Sequence, residues 1–226
     1  MKKYDYFLRS VWAGVFITMA GVCSVAGSVH IENFSIAKIL SALIFTGGII
    51  CCFLSNGILF TGSMSQIKQV LEKKMSVGNM LINWLIILFG NAVGSFITAL
   101  AVNRFFTDIL TLEKLSIITE NKISNNMFTI FISAIICNIL VCLAVWDYSV
   151  RGRKNVIAVV PVFLFIILGA EHVVANFGYF SFYILNNSTT INVSGLLTTT
   201  ILAAFGNITG GLLISITGYY TDEKNK

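Results

Sequence analysis

Proline occurs once in the 226 residues, and only 11% of residues are charged, against 56% apolar. So little charge excludes a soluble domain of this size, which could not hide that much apolar surface. Ten-residue segments alternating apolar and polar are also missing, which argues against a lipid-facing β-barrel. There is no carboxylate pair, no Cys/His cluster and no His-Glu-x-x-His string, so no metal, cofactor or catalytic centre is expected. The five cysteines (Cys23, Cys51, Cys52, Cys137, Cys142) lie inside apolar runs and read as small buried hydrophobes. No cleavable signal pattern is expected at the start of the chain.

What remains is long apolar segments. Residues 10–31, 39–67, 75–103, 123–146, 155–170 and 173–221 carry no Asp, Glu, Lys or Arg. A helix needs about 20 residues to cross the hydrocarbon core. The last stretch is too long for one crossing, and Asn186-Asn187-Ser188-Thr189-Thr190 divides it. Six spans are expected, near 7–28, 37–66, 77–103, 126–149, 156–185 and 195–220. The second is interrupted by Ser55-Asn56-Gly57 and Thr61-Gly62-Ser63, the fifth by Glu171-His172 and Asn176-Phe177-Gly178. Phe-Gly-Asn-x-x-Gly occurs twice, as residues 89–94 and 205–210, 116 residues apart. A repeat plus Gly-interrupted helices at matching places predicts one channel domain of two inverted halves, about 1–110 and 120–226. Basic residues set the orientation. With both termini inside, 11 lie inside (Lys2, Lys3, Arg9, Lys68, Lys73, Lys74, Arg151, Arg153, Lys154, Lys224, Lys226) and 4 outside (Lys38, Arg104, Lys114, Lys122).

Glu171 and His172 form the one strongly titratable pair deep in a span, and such placement is costly enough to mark function. Glu171 is read as structural, its carboxylate accepting from backbone N–H groups of the break. His172 can donate to an anion or exchange a proton with it. Asn91, Asn138, Asn176 and Asn207 recur at membrane depth and are expected to brace the freed backbone. Phe45, Phe60, Phe165 and Phe177 crowd the breaks, where apolar rings can form constrictions.

The chain resembles the formate/nitrite transporter family of formate, nitrite and hydrosulfide channels. The resemblance rests on Ala13-Gly14-Val15-Phe16, Leu59-Phe60-Thr61, Asn83-Trp84 with Phe89-Gly90-Asn91, Asn138 through Trp146, Glu171 through Asn176, and Gly206 through Gly211, in that order. It implies an all-α aquaporin-like bundle of six transmembrane helices, with the second and fifth broken. It implies a homopentamer in the inner (cytoplasmic) membrane, one pore per protomer, passing a small monovalent anion. His172 would face the pore midpoint near Thr61, with Phe45, Ile49, Leu59, Phe60 and Phe165 as constrictions and Lys122 drawing anions from outside. Two departures stand out. Ile58 replaces an acidic residue frequent three positions before the loop threonine, and no amphipathic helix is expected ahead of the first span. The rival readings are a neutral-solute pore, which lacks the Asn-Pro-Ala repeats of aquaporins here, and an intramembrane hydrolase pairing Ser63 or Ser95 with His172. No nucleic-acid partner is expected.

Overall fold

The computed structural model describes residues 1–105, 108–152, 159–187 and 191–223, and among them every regular element is helical. Arg153, Lys154, Lys224, Lys226 and Ser188-Thr189-Thr190 lie outside the described residues. Helix α1 spans Lys3–Ala26, α2 Phe34–Ser55, α3 Ile67–Leu71, α4 Val77–Phe105, α5 Ile109–Ser124, α6 Met127–Val145, α7 Val160–Leu168, α8 Val173–Asn186 and α9 Val193–Glu223. Among the described residues five helices are long and apolar enough to cross a membrane, and α7 with α8, bent by 51°, pass the same test together as one broken span. The chain is therefore a multi-pass membrane protein, with a helix at each expected span; the second, expected over 37–66, ends at Ser55.

Two spans are broken. Helix α2 stops where Asn56 takes a left-handed conformation (φ 54), and a 3-10 turn, Thr61–Gln66, leads into α3. Helix α7 stops at Gly169 (φ 68), whose left-handed backbone glycine adopts without strain. The second break is narrower than expected. It covers residues 169–172, whereas Asn176-Phe177-Gly178 lies within unbroken α8. Gly178 there makes room for α1: a Cβ on it would stand 2.8 Å from the Thr18 hydroxyl.

The repeat explains how the long helices pair. Helix α4 packs on α1, and α9 on α6. A Cβ on Gly94 would lie 2.0 Å from the Val11 carbonyl oxygen, and one on Gly210 2.2 Å from that of Ile135. Only a bare backbone permits such approach, the device of small-residue packing in membranes. Phe89 and Phe205, which open the two copies, are 64% and 61% exposed, while Asn91 and Asn207 are fully buried. Each copy thus turns its ring outward and its amide inward.

Helix α5 has no counterpart among the expected elements; it lies between the expected third and fourth spans. Asp108 caps it, accepting from the Thr111 backbone N–H and hydroxyl. The Thr111 hydroxyl holds that carboxyl below its ordinary range. Thr111, Leu115 and Thr119, spaced every fourth residue, form its buried stripe. Two cysteines also depart from expectation: Cys23 and Cys51 face outward, and Cys52, Cys137 and Cys142 are buried.

Candidate functional site

Backbone freed by a break must find hydrogen bonds where water is absent. Asn91 supplies them to the first break. Its Oδ1 accepts from Phe60 N–H at 2.8 Å, and its Nδ2 donates to Ile58 O at 3.0 Å and Ser10 O at 2.7 Å. Asn207 does the same for the second. Its Oδ1 accepts from Val173 N–H at 3.0 Å, and its Nδ2 donates to Glu171 O at 2.9 Å and Ala134 O at 2.8 Å. Each amide joins a break to a neighbouring helix, in matching order. In that matching, Ile58 occupies the place of Glu171 and Leu59 that of His172.

Helix α8 begins on His172, whose Nδ1 accepts the Ala175 N–H at 3.1 Å. The other ring nitrogen, Nε2, lies 3.0 Å from the Thr61 hydroxyl across 111 residues of sequence. An Nδ1 that accepts carries no proton, so the neutral ring holds its proton on Nε2 and donates it to Thr61 Oγ1. The Thr61 hydroxyl hydrogen is then left for a third group. Thr61 is fully buried and His172 is 2% exposed. Phe165 stacks on the imidazole, centroids 5.4 Å apart and 11° between planes, and meets Phe45 edge-on at 6.1 Å.

Two cavities approach this pair. One of about 280 Å³ touches Lys122, Phe165, Glu171, His172 and Tyr179. The other, about 180 Å³, touches Ile49, Ile58, Leu59, Gly62 and Ser149. Phe45 and Phe60 line neither of these and sit in the apolar core around them. Beside the second cavity, Phe53 stacks on Tyr148 with centroids 3.8 Å apart.

Lys122 is not a free surface cation. Its Nζ contacts Glu171 Oε2 at 2.9 Å, with the two side chains 14% and 3% exposed. The same oxygen accepts from Asn176 Nδ2 at 2.8 Å, while the Glu171 backbone N–H donates to Ser133 Oγ. The Glu171 carboxylate is therefore held by side chains, not by backbone N–H groups as expected. Asn176 likewise braces that carboxylate and not the backbone, because it sits a turn inside α8, where the N–H groups are already bonded. Asn138 reaches backbone as expected, donating to Thr61 O at 3.1 Å and to Asn207 O.

Sequence reasoning overlooked Cys142, which donates to the same Thr61 carbonyl at 3.1 Å. Its position one turn after Asn138 was the available signal. The hydrolase reading finds no geometry. Ser63 donates to Phe60 O and Ser95 to Gly14 O, and His172 meets neither.

Comparison with known proteins agrees with this architecture. A solved pentameric formate channel with formate bound superposes with a TM-score of 0.81 at 26% identity, covering 99% of this chain and 98% of the other. A second solved structure, an FNT family ion channel, shares the fold with a TM-score of 0.85 at 22% identity, covering 97% and 90%. The aquaporin-like inverted fold with two broken helices follows. Among curated relatives, the uncharacterized transporter YrhG of Bacillus subtilis is 34% identical over 59% of this chain and 52% of its own length. The formate channel FocA of Escherichia coli (strain K12) is 28% identical over 71% and 59%. The chain thus spans a little over half the length of these relatives. The formate/nitrite transporter family model matches residues 1–221, and the chain belongs to that family.

Proposed function

We propose that this protein is a channel for small monovalent weak-acid anions such as formate, nitrite or hydrosulfide. The observation that carries the reading is the buried Thr61–His172 hydrogen bond between two cavities. The reading takes the chain as one channel domain of two inverted halves, about 1–110 and 120–226, which the matching braces of Asn91 and Asn207 support. It places the chain as a homopentamer in the cytoplasmic membrane with both termini inside, in keeping with the solved pentameric relative and the basic residues of the inner side.

An anion gathers in the cavity lined by Lys122 and His172, where the Glu171 carboxylate offsets much of the Lys122 charge and the ammonium keeps N–H donors beyond the one it gives to Glu171. Bare charge is expensive between the rings of Phe45 and Phe165 and the side chains of Ile49, Leu59 and Phe60. There the Thr61 hydroxyl, oriented by His172 Nε2–H, donates to the anion, and the N-terminus of α8 adds a favourable dipole. Exchanging a proton with the anion asks more of His172. A proton on Nδ1 would face the Ala175 N–H, so charging the ring breaks the cap of α8. Proton exchange at His172 is thereby tied to movement at the second break. Glu171, Asn91, Asn138, Asn176 and Asn207 hold the breaks in place.

His172→Asn in liposomes tests this. The expected result is a changed pH dependence of formate flux, or a changed balance between anion and acid. Flux and pH profile identical to the parent would remove His172 from the selective step. Glycerol-driven swelling without formate uptake would favour a neutral-solute pore instead.

A further inference from the structure

The two halves match closely enough for their differences to be informative. In the first, Gly90 meets Phe7, Gly94 meets Val11 and Ser95 meets Gly14; in the second, Gly206 meets Phe131, Gly210 meets Ile135 and Gly211 meets Asn138. Asn138 therefore stands where α1 has Gly14, and Cys142, one turn on, where α1 has Thr18. Gly14 has no side chain to donate, and the buried Thr18 hydroxyl has no hydrogen-bond partner. On α6, by contrast, Asn138 Nδ2 and Cys142 Sγ share a helix face and converge on the Thr61 carbonyl, each at 3.1 Å. The half with two donors is the one that faces the hydroxyl-bearing break.

We infer that Cys142, working with Asn138, is a positioning residue that fixes the Thr61 backbone so that its hydroxyl meets both His172 and the passing anion. The inference rests on the reading of Thr61 and His172 as the selective step. Thr61 opens a short 3-10 turn directly after a break, and such turns have poor internal hydrogen-bond geometry. Its backbone orientation must therefore be imposed from outside. Two donors on one carbonyl fix the peptide plane, and with it the direction of the Thr61 side chain. The tolerance is small: the Thr61–His172 contact is 3.0 Å, and at about 3.6 Å it is no longer a hydrogen bond. Helix α9 closes the back of the clamp with a bare backbone. A Cβ on Gly211 would stand 2.5 Å from Asn138 Nδ2 and 2.9 Å from Cys142 Sγ. Cys142 itself is 1% exposed, so its thiol acts through this contact and not on solvent.

The test is a double-mutant cycle on the full chain in liposomes, reading formate flux against concentration and pH. Cys142→Ala should reduce flux at low formate by about two- to tenfold, the loss of one hydrogen bond, and displace the pH profile. Cys142→Ser, which keeps a donor, should restore the parent profile. Thr61→Val with Cys142→Ala should be no worse than Thr61→Val alone, since the clamp acts only through Thr61. A Cys142→Ala channel matching the parent in flux and pH profile overturns the inference, as does a defect that adds in full to that of Thr61→Val. If Cys142→Ala does not assemble, Cys142→Val restores bulk without a donor and takes its place in the cycle, with the same two outcomes deciding. Thr61→Val with parental flux and pH profile overturns the functional reading itself, however Cys142 behaves.

Discussion

Removing Asn91 and removing Asn207 should cost the same. Each amide is fully buried and makes three hydrogen bonds, two of them to backbone groups of a break. The third bond goes to a carbonyl inside a helix, Ser10 O or Ala134 O, which has its own intrahelical partner. Substitution by alanine therefore strands two backbone groups per break. An unsatisfied buried polar group costs about 1–3 kcal/mol, so each variant should lose about 2–6 kcal/mol. For a chain of this length that is about 4–24 °C in melting temperature. Detergent-solubilised Asn91→Ala and Asn207→Ala, melted side by side against the parent, provide the measurement. Unfolding of such proteins is commonly irreversible, so scan rate must be matched across the three. The reasoning fails if either variant melts with the parent, or if one loses several times what the other does.

Other consequences can be checked as directly. Gly94→Ala and Gly210→Ala should each force a helix pair apart and sharply reduce assembled protein on size-exclusion chromatography, since the added carbon meets backbone that cannot yield. Lys122→Met should destabilise more than Lys122→Met with Glu171→Gln, because the single change leaves a nearly buried carboxylate with only the Asn176 amide; comparable melting of the two would refute the pairing. Asp108, whose carboxyl the Thr111 hydroxyl holds below its ordinary range, should keep α5 capped above that range and release it as pH falls through the lowered value. Protection of the amides across 109–112, relative to their intrinsic exchange rate at each pH, should fall on acidification, and Asp108→Ala should abolish that fall.

Spans were legible because lipid imposes one rule, about 20 apolar residues per crossing, that charge-free runs display directly. The repeat was legible as a symmetry, and its buried asparagines as braces, because an amide at membrane depth has few other partners. Helix α5 was not legible as a span-length run: it lies outside the crossings, and its stripe of Thr111, Leu115 and Thr119 is only weakly apolar. Glycine misled in the fifth span. The same residue type ends α7 at Gly169 through a left-handed backbone, yet at Gly178 admits α1 without bending α8. Cysteine misled by averaging: five similar apolar contexts hide two exposed side chains and, in Cys142, a thiol that donates to the Thr61 carbonyl at 3.1 Å, where Cys52 reaches Ala13 O only at 3.9 Å. Partners of that kind depend on which helices cross, and local pattern does not encode it.

The braces also dictate an order of events during synthesis. The first break, at residues 56–60, leaves the ribosome before α4 and cannot be satisfied until Asn91 arrives. The second, at 169–172, waits for Asn207 on α9, which is made after both helices that flank the break. Until then its free backbone groups sit at membrane depth with no permanent partner. A chain truncated before residue 207 should therefore hold α7 and α8 without a settled break, an open joint that cellular quality control can recognise as unfinished.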